Sequence, residues 1–409
     1  MDMECQDSIS KLKLLRKNYR VLLAKRITYS FASGLTQNYT SVYIVKLGAN
    51  PLQLGGLNSV GSLFSSLLAL PIGWLADYYS LRKIYIISLT FTLLVPLIYA
   101  LANSWELTVV PIMISYINMW SISLLESIII TESLQEKNRA TGFGLSYAAS
   151  GVASIISPTI AGIILSHLGG LSTQSMKVLF IIHFFIILAS FIWVSANLEE
   201  VRLFPQPNRG SFKEFRRLFR YSGVEKWLIV ETLGAFIFGA ITPFVMVYAA
   251  EVKGADALTL GLMGSAQNLT YTISSIPLGK LADTIGRKRT IAVLRPILYT
   301  SILLLVFAPN NTYLIIASAL RGLTWGAMSA WSSFRMELVD SEWRGRWSGV
   351  IGLLRGLART PASLVGGLLW TNIDPSAPFI MLVIVDITIR LPLILMMPET
   401  LKQNHKHHL

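Results

Sequence analysis

Apolar stretches of roughly 20 residues, the length a helix needs to cross a hydrocarbon core, recur along almost all of this 409-residue chain. Twelve are read, at 21–46, 52–76, 84–102, 106–131, 141–167, 176–197, 224–249, 257–281, 290–308, 312–336, 347–371 and 377–397. Too little sequence is left between them for a soluble domain. With 53% hydrophobic and 14% charged residues and a mean hydropathy of +0.56, the chain carries more apolar surface than a water-facing fold can hide.

A net charge of +13 raises the question of nucleic acid, and the placement of the 35 Lys and Arg residues answers it. Only Lys46, Lys177 and Lys253 fall in alternate, outward loops, whereas the N-terminal stretch, the central linker and the other inward loops hold most of the rest. This positive-inside pattern sets both termini in the cytoplasm. The reading is a multi-pass protein of the cell membrane with the bilayer as partner and no nucleic acid. The polar, basic start (Lys11, Lys13, Arg16, Lys17, Arg20) lacks a cleavable signal pattern, so the first span is expected to stay as a membrane helix. The lone Cys5 excludes an internal disulfide or a cysteine metal site, and His405, His407 and His408 read as a terminal tail rather than a metal site.

The halves repeat. At an offset of 206 residues, Gly48-Ala49, Leu52, Leu54-Gly55, Pro71, Gly73 and Leu75-Ala76-Asp77 return as Gly254-Ala255, Leu258, Leu260-Gly261, Pro277, Gly279 and Leu281-Ala282-Asp283. At an offset of 205, Glu132, Arg139 and Gly144 return as Glu337, Arg344 and Gly349. Six spans per half is an even number, so the halves run in the same direction about an axis along the membrane normal. The expected fold is therefore an all-α membrane protein: twelve transmembrane helices in two pseudo-twofold related six-helix bundles. Its parts are an N-terminal bundle over 1–198, a cytoplasmic linker over 199–222, and a C-terminal bundle with its tail over 223–409. Pro205, Pro207, Asn208 and Gly210 break the linker. Ser211 caps a short basic amphipathic helix with Phe212, Phe215, Leu218 and Phe219 on one face.

Two inward loops carry a motif. One reads Gly73-Trp74-Leu75-Ala76-Asp77-Tyr78-Tyr79-Ser80-Leu81-Arg82-Lys83, the other Gly279-Lys280-Leu281-Ala282-Asp283-Thr284-Ile285-Gly286-Arg287-Lys288-Arg289. Both resemble the signature loop of the major facilitator superfamily, a G-x-L-A-D stretch followed by G-R-[RK]. The first copy departs from it at Ser80 and Leu81. The resemblance covers essentially the whole chain and implies a secondary transporter working by alternating access, with its substrate site near mid-bilayer between the halves. It also implies gating roles. Gly73 and Gly279 would allow close helix approach, Asp77 would face the start of span 11, and Asp283 the start of span 5. Glu132 with Arg82 or Arg139, and Glu337 with Arg287 or Arg344, would close the cytoplasmic side. Gly151, Ser157-Pro158 and Ala161-Gly162 in span 5 look like a degraded form of the family's antiporter motif.

Ionisable groups at bilayer depth cost on the order of 3 kcal/mol each by insertion scales, so they face a cavity or a partner. Arg321, mid-span 10 with Trp325 one turn on, is a candidate holder of an anionic substrate or an acidic partner. Glu126 in span 4 and Glu231 in span 7 are candidates for proton coupling, because a partly desolvated carboxylate can take up and release a proton. Arg355 and Arg359 share a face of span 11, and Asp386 in span 12 is placed to neutralise Arg359 or Arg390. Tyr39, Tyr43, Tyr116, Asn118 and Trp120 join Arg321 and Trp325 as candidate substrate contacts. Tyr29, Asn38 and Gln267-Asn268 offer further hydrogen bonds, and His183 is placed in a lipid-facing span.

No glycine loop of the nucleotide-hydrolase type occurs, and no nucleophile–base pair or metal constellation marks a membrane-embedded enzyme. No cofactor is implied, the chain is read as a monomer and not an enzyme, and an ion or substrate gradient must supply the drive. Channel activity is the rival from a third class. The expected function is proton-coupled efflux of small amphipathic organic compounds, with a proton or another coupling ion. The alternative is uptake of an organic anion or another small metabolite by symport.

Overall fold

The computed structural model describes residues 2–78, 80–200 and 221–401, with the side chains of 2–16, 69–78, 119–121, 124, 137 and 140 outside that description. The expected linker helix and the histidine tail therefore lie outside the described residues. All regular structure among the described residues is helical. In chain order the helices are α1 (Asp2–Lys46), α2 (Pro51–Tyr78), α3 (Leu81–Leu101), α4 (Val109–Ser133), α5 (Arg139–His167), α6 (Thr173–Asn197), α7 (Val224–Ile241), α8 (Val245–Val247), α9 (Ala257–Ile285), α10 (Arg287–Val293), α11 (Arg295–Phe307), α12 (Asn311–Trp325), α13 (Met328–Glu337), α14 (Arg344–Asn372), α15 (Ala377–Val385) and α16 (Leu391–Met396).

Their ends follow from local chemistry. Ser80, Ser172, Asp256 and Asn310 cap α3, α6, α9 and α12 by accepting a backbone N–H of the first turn, which meets donors a helix start would otherwise leave bare. After α1 and α7 the chain turns at Gly48 and Gly254, both at positive φ, where a side chain would be strained. Breaks fall where prolines remove an N–H: Pro243 in the 3₁₀ turn after α7, Pro296 opening α11, and Pro392 after the π turn Asp386–Arg390.

Among the described residues, six stretches are long and apolar enough to cross a bilayer: Leu81–Leu101, Thr141–His167, Thr173–Asn197, Val224–Val252, Arg287–Phe307 and Ala377–Met396. Apolar side chains spaced three or four apart stand exposed along the helices, among them Ile87 and Phe91 on α3, Ile273 and Ile276 on α9, and Leu303 and Phe307 on α11. In water such stripes would drive aggregation. In lipid they are the outer wall.

The chain divides into two compact units, residues 1–48 with 60–207, and residues 49–59 with 208–409. In the first, α1 packs on α5 and α6 and α3 on α4 and α6, around Leu22, Leu81, Tyr85, Leu125, Ile129 and Val194. In the second, α7 packs on α14 and α15 and α11 on α12 and α15, with Trp227, Phe334, Trp347 and Ile394 at the core. The neighbour relations are the same under the sequence repeat, and so is the detail. Gly34 of α1 lets Ser157 of α5 come close, and 205 residues on Gly239 of α7 meets Ala362 of α14. Tyr43 donates to the carbonyl of Tyr99 at 2.8 Å and packs on Phe180. Its repeat partner Tyr248 donates to Val306 at 3.2 Å and packs on Phe379.

Candidate functional site

In the second unit, Gly322 of α12 is so close to α9 that a Cβ there would strike the backbone of Gln267. That approach delivers the preceding residue, Arg321, onto the Gln267 side chain. Its Nε and Nη2 both donate to Gln267 Oε1, at 3.0 and 2.5 Å. Arg321 is buried, and no acidic side chain among the described residues pairs with it. An amide oxygen satisfies the geometry of the fork but not its charge, and a buried charge is costly without a counter-charge. Trp325, one turn along, is 44% exposed, so the indole stands open beside the closed-in guanidinium.

Glu231 of α7 lies between two cations, Arg355 Nε of α14 at 3.5 Å and Arg335 Nη1 of α13 at 3.9 Å. Asp386, fully buried, accepts from Arg390 on its own helix at 2.7 Å, from Arg295 at 3.2 Å and from the Tyr299 hydroxyl at 2.8 Å. Of its two candidate partners in sequence, Arg390 is thus the one it meets. Gly239 packs on the stem of Arg359.

In the first unit Glu126 is not a lone carboxylate. Lys25 of α1 forms a buried ion pair with it, the Tyr85 hydroxyl donates to it at 2.8 Å, and the rings of Tyr29 and Tyr85 flank the ammonium at 4.6 and 5.8 Å. Several candidate substrate contacts have partners within this unit. Tyr39 is fully buried with its hydroxyl 3.4 Å from the Pro158 carbonyl, Tyr43 is spent on Tyr99 and Ala102, and Asn118 donates to Thr92 at 3.1 Å. Tyr116 lies against Gly61, and the Trp120 side chain is outside the described residues. His183 corrects an expectation: it faces inward, 2.9 Å from Thr36 of α1.

The two motif loops divide likewise. Gly73 and Asp77 fall where side chains are not described. Asp283 is exposed and pairs with Arg287 one turn along, and Arg287 also reaches Glu337 at 3.2 Å. Glu399, at the chain's far end, accepts the backbone N–H groups of Arg287, Lys288 and Arg289 and so caps α10. Arg344 donates to the Met336 carbonyl instead of bridging Glu337. Glu132 is exposed, while Arg82 donates to the carbonyls of Leu198 and Ser195 and Arg139 to that of Thr131. Neither expected partner of Glu132 bridges it among the described residues. Gly279 is not pressed by a neighbour either, since a Cβ there would stand 3.5 Å from Ser329 Oγ, an ordinary contact.

Lys25, Tyr85, Arg295, Tyr299, Arg335 and Glu399 were not expected to matter. Lys25 and Arg295 left a signal, being cations inside apolar stretches. The others owe their place to folding. No group of three or more metal-ligating side chains occurs among the described residues.

Fold and site together define a polytopic helical membrane protein with ion pairs and an amide-held guanidinium buried among its helices. The chain belongs to the Major Facilitator Superfamily, whose sequence profile matches residues 26–363 and 241–406, and is accordingly a transporter rather than an enzyme. An uncharacterised MFS-type transporter of Methanocaldococcus jannaschii is 22% identical over 378 residues, 90% of this chain and 91% of the relative. An uncharacterised MFS-type transporter of Mycobacterium tuberculosis strain CDC 1551 is 28% identical over 141 residues, 34% of this chain and 20% of that protein. Among solved structures, a variant of the nucleoside transporter NupG superposes with a TM-score of 0.76 at 14% identity, covering 92% of this chain and 99% of that one. The human organic anion transporter MFSD10 gives 0.61 at 14% identity over 93% and 99%. A POT family transporter in complex with 5-aminolevulinic acid gives 0.67 at 16% over 94% and 96%.

Proposed function

We propose that this chain is a secondary carrier of twelve membrane helices in two six-helix halves, working by alternating access, and that its substrate carries a negative charge. One observation supports the charge. Arg321 is buried, is held among the described residues only by the neutral amide of Gln267, and has the open indole of Trp325 one turn away. A substrate carboxylate or phosphate would supply the missing counter-charge through a paired N–H fork, and the indole a surface for its organic part. The organic anion transporter among the structural neighbours is compatible with this reading, at a level of identity that speaks to fold alone. Uptake by symport follows for an anion taken against a negative-inside potential, with Glu126 and Glu231 as the proton carriers and Asp77 and Asp283 in the gate.

The second reading is proton-coupled efflux of small amphipathic compounds, favoured by the exposed Trp325 and by the Ser157-Pro158 stretch packed on Gly34. One experiment separates the two. Purified protein is melted against a panel of organic anions and amphipathic cations, and stabilising compounds are then followed into proteoliposomes with and without an imposed pH gradient. Anions that raise the melting temperature of the wild type and not of Arg321→Ala support the anionic substrate. Stabilisation by cations, unchanged in Arg321→Ala, refutes it.

A further inference from the structure

Arg295 sits where α11 begins, with its side chain only 5% exposed. Its Nη1 goes to Asp386, but Nε and Nη2 are buried without a hydrogen-bond partner. Asp386 meets only Nη1 of that guanidinium and otherwise takes Arg390 and Tyr299. The guanidinium planes of Arg295 and Arg390 lie 4.9 and 5.3 Å from the ring of Trp331. One more buried donor is orphaned beside that ring, Nε1 of Trp227, whose ring is 5.1 Å from that of Trp331; Nε of Arg335, one turn along α13 from Trp331, is likewise buried without a partner, while its Nη1 faces Glu231 at 3.9 Å.

Two features of this cluster point the same way. Every orphaned polar atom in it is a donor, whereas a neutral water filling the gap would bring hydrogens that need acceptors of their own. The closed part also holds two guanidinium groups and one carboxylate, an excess of one positive charge where burial makes excess charge expensive. Nor does the fold require a cation at this point. The repeat offset of 206 sets Leu89, buried and apolar, at the position equivalent to Arg295.

We infer that the Arg295–Trp331 cluster is a binding site for a small monovalent anion, held by Arg295 Nε and Nη2 with Trp227 Nε1 and Arg335 Nε as further donors. A halide ion and the carboxylate end of a small acid share that chemistry. The site is distinct from Arg321, so the two stand or fall separately.

The test melts the full-length protein in detergent at constant ionic strength, replacing sodium gluconate by chloride in one arm and by acetate in another. Chloride line broadening in ³⁵Cl NMR is recorded in parallel. A saturable rise of a few degrees in either arm, lost in Arg295→Gln and kept in Arg321→Gln, is the expected result, and the responding arm identifies the anion. Trp227→Phe removes one N–H and keeps the ring, and it should weaken half-saturation several-fold. It also serves if Arg295→Gln does not fold. Equal melting in all three salts with no chloride broadening in the wild type overturns the inference, as does a response that both variants retain.

Discussion

Replacing Lys25 by methionine should destabilise the protein far more than replacing Lys25 and Glu126 together. Lys25 is 4% exposed at its side chain and Glu126 10%, so the single change Lys25→Met strands a carboxylate with one remaining hydrogen bond, from Tyr85 at 2.8 Å. Breaking a buried pair in this way costs about 3–5 kcal/mol. The lost attraction of the ammonium to the Tyr29 ring adds on the order of 1 kcal/mol. The double variant Lys25→Met/Glu126→Gln leaves no charge, keeps the volume, and retains an acceptor for Tyr85. It should fall within about 1.5 kcal/mol of wild type, since apolar or neutral replacement of a whole buried pair is often nearly neutral. Equilibrium unfolding in mixed micelles, followed by tryptophan fluorescence, measures the wild type, Lys25→Met, Glu126→Gln and the double variant, and the cycle they close isolates the coupling. A single-variant loss below about 1 kcal/mol would show that water reaches Glu126 and that the pair is not buried. A double variant as unstable as the single one would show that the cost lies in packing rather than charge.

Gly239→Val should cost about 1–3 kcal/mol by overpacking, because even its Cβ would lie 3.0 Å from that of Ala362. Gly349→Ala, with nothing within 4 Å, should instead stabilise α14 by about 0.5–1 kcal/mol, and thermal melts of both check the pair. Tyr43→Phe and Tyr248→Phe should each lose about 0.5–1.5 kcal/mol of stability with transport unaltered per folded molecule. A transport defect at full stability in Tyr43→Phe would return that residue to the substrate site. Just before α7, burial and then the hydrogen bond to Asp340 hold the Tyr221 phenol above its ordinary value. The folded state therefore keeps this proton longer than the unfolded chain does. Its contribution is complete below about pH 10 and is lost as pH rises through the folded value, so Tyr221→Phe should show a smaller alkaline fall in melting temperature.

What could be read along the chain is what depends on neighbours in sequence. The apolar stretches, the recurrence of Gly48 as Gly254 and the candidate pairing of Asp386 with Arg390 one turn along the same helix all rest on sequence spacing. What could not be read are partners brought together by folding. Glu126 finds Lys25 across 101 residues and Asp386 finds Arg295 across 91. Residue type in these cases announces that a partner is needed and says nothing of which one. Tyr43 shows the converse hazard: an aromatic hydroxyl in a span looks equally suited to a ligand and to a backbone carbonyl. Only its recurrence as Tyr248, with the same kind of partner, identifies the structural use.

The ion pairs carry one more consequence. At the offset of 205 residues that relates Gly34 to Gly239 and Tyr43 to Tyr248 in these same helices, the cation Arg26 of α1, next to Lys25, corresponds to the anion Glu231 of α7. Lys25 and Glu231 have each found an opposite charge within their own unit, on α4 in one case and on α13 and α14 in the other. The duplicated segments have thus drifted to opposite polarity and ceased to be interchangeable parts. A chimera that copied the first segment's arginine into position 231 would crowd it against Arg335 and Arg355, and a twin built from two first halves would lack the guanidinium-rich interior altogether.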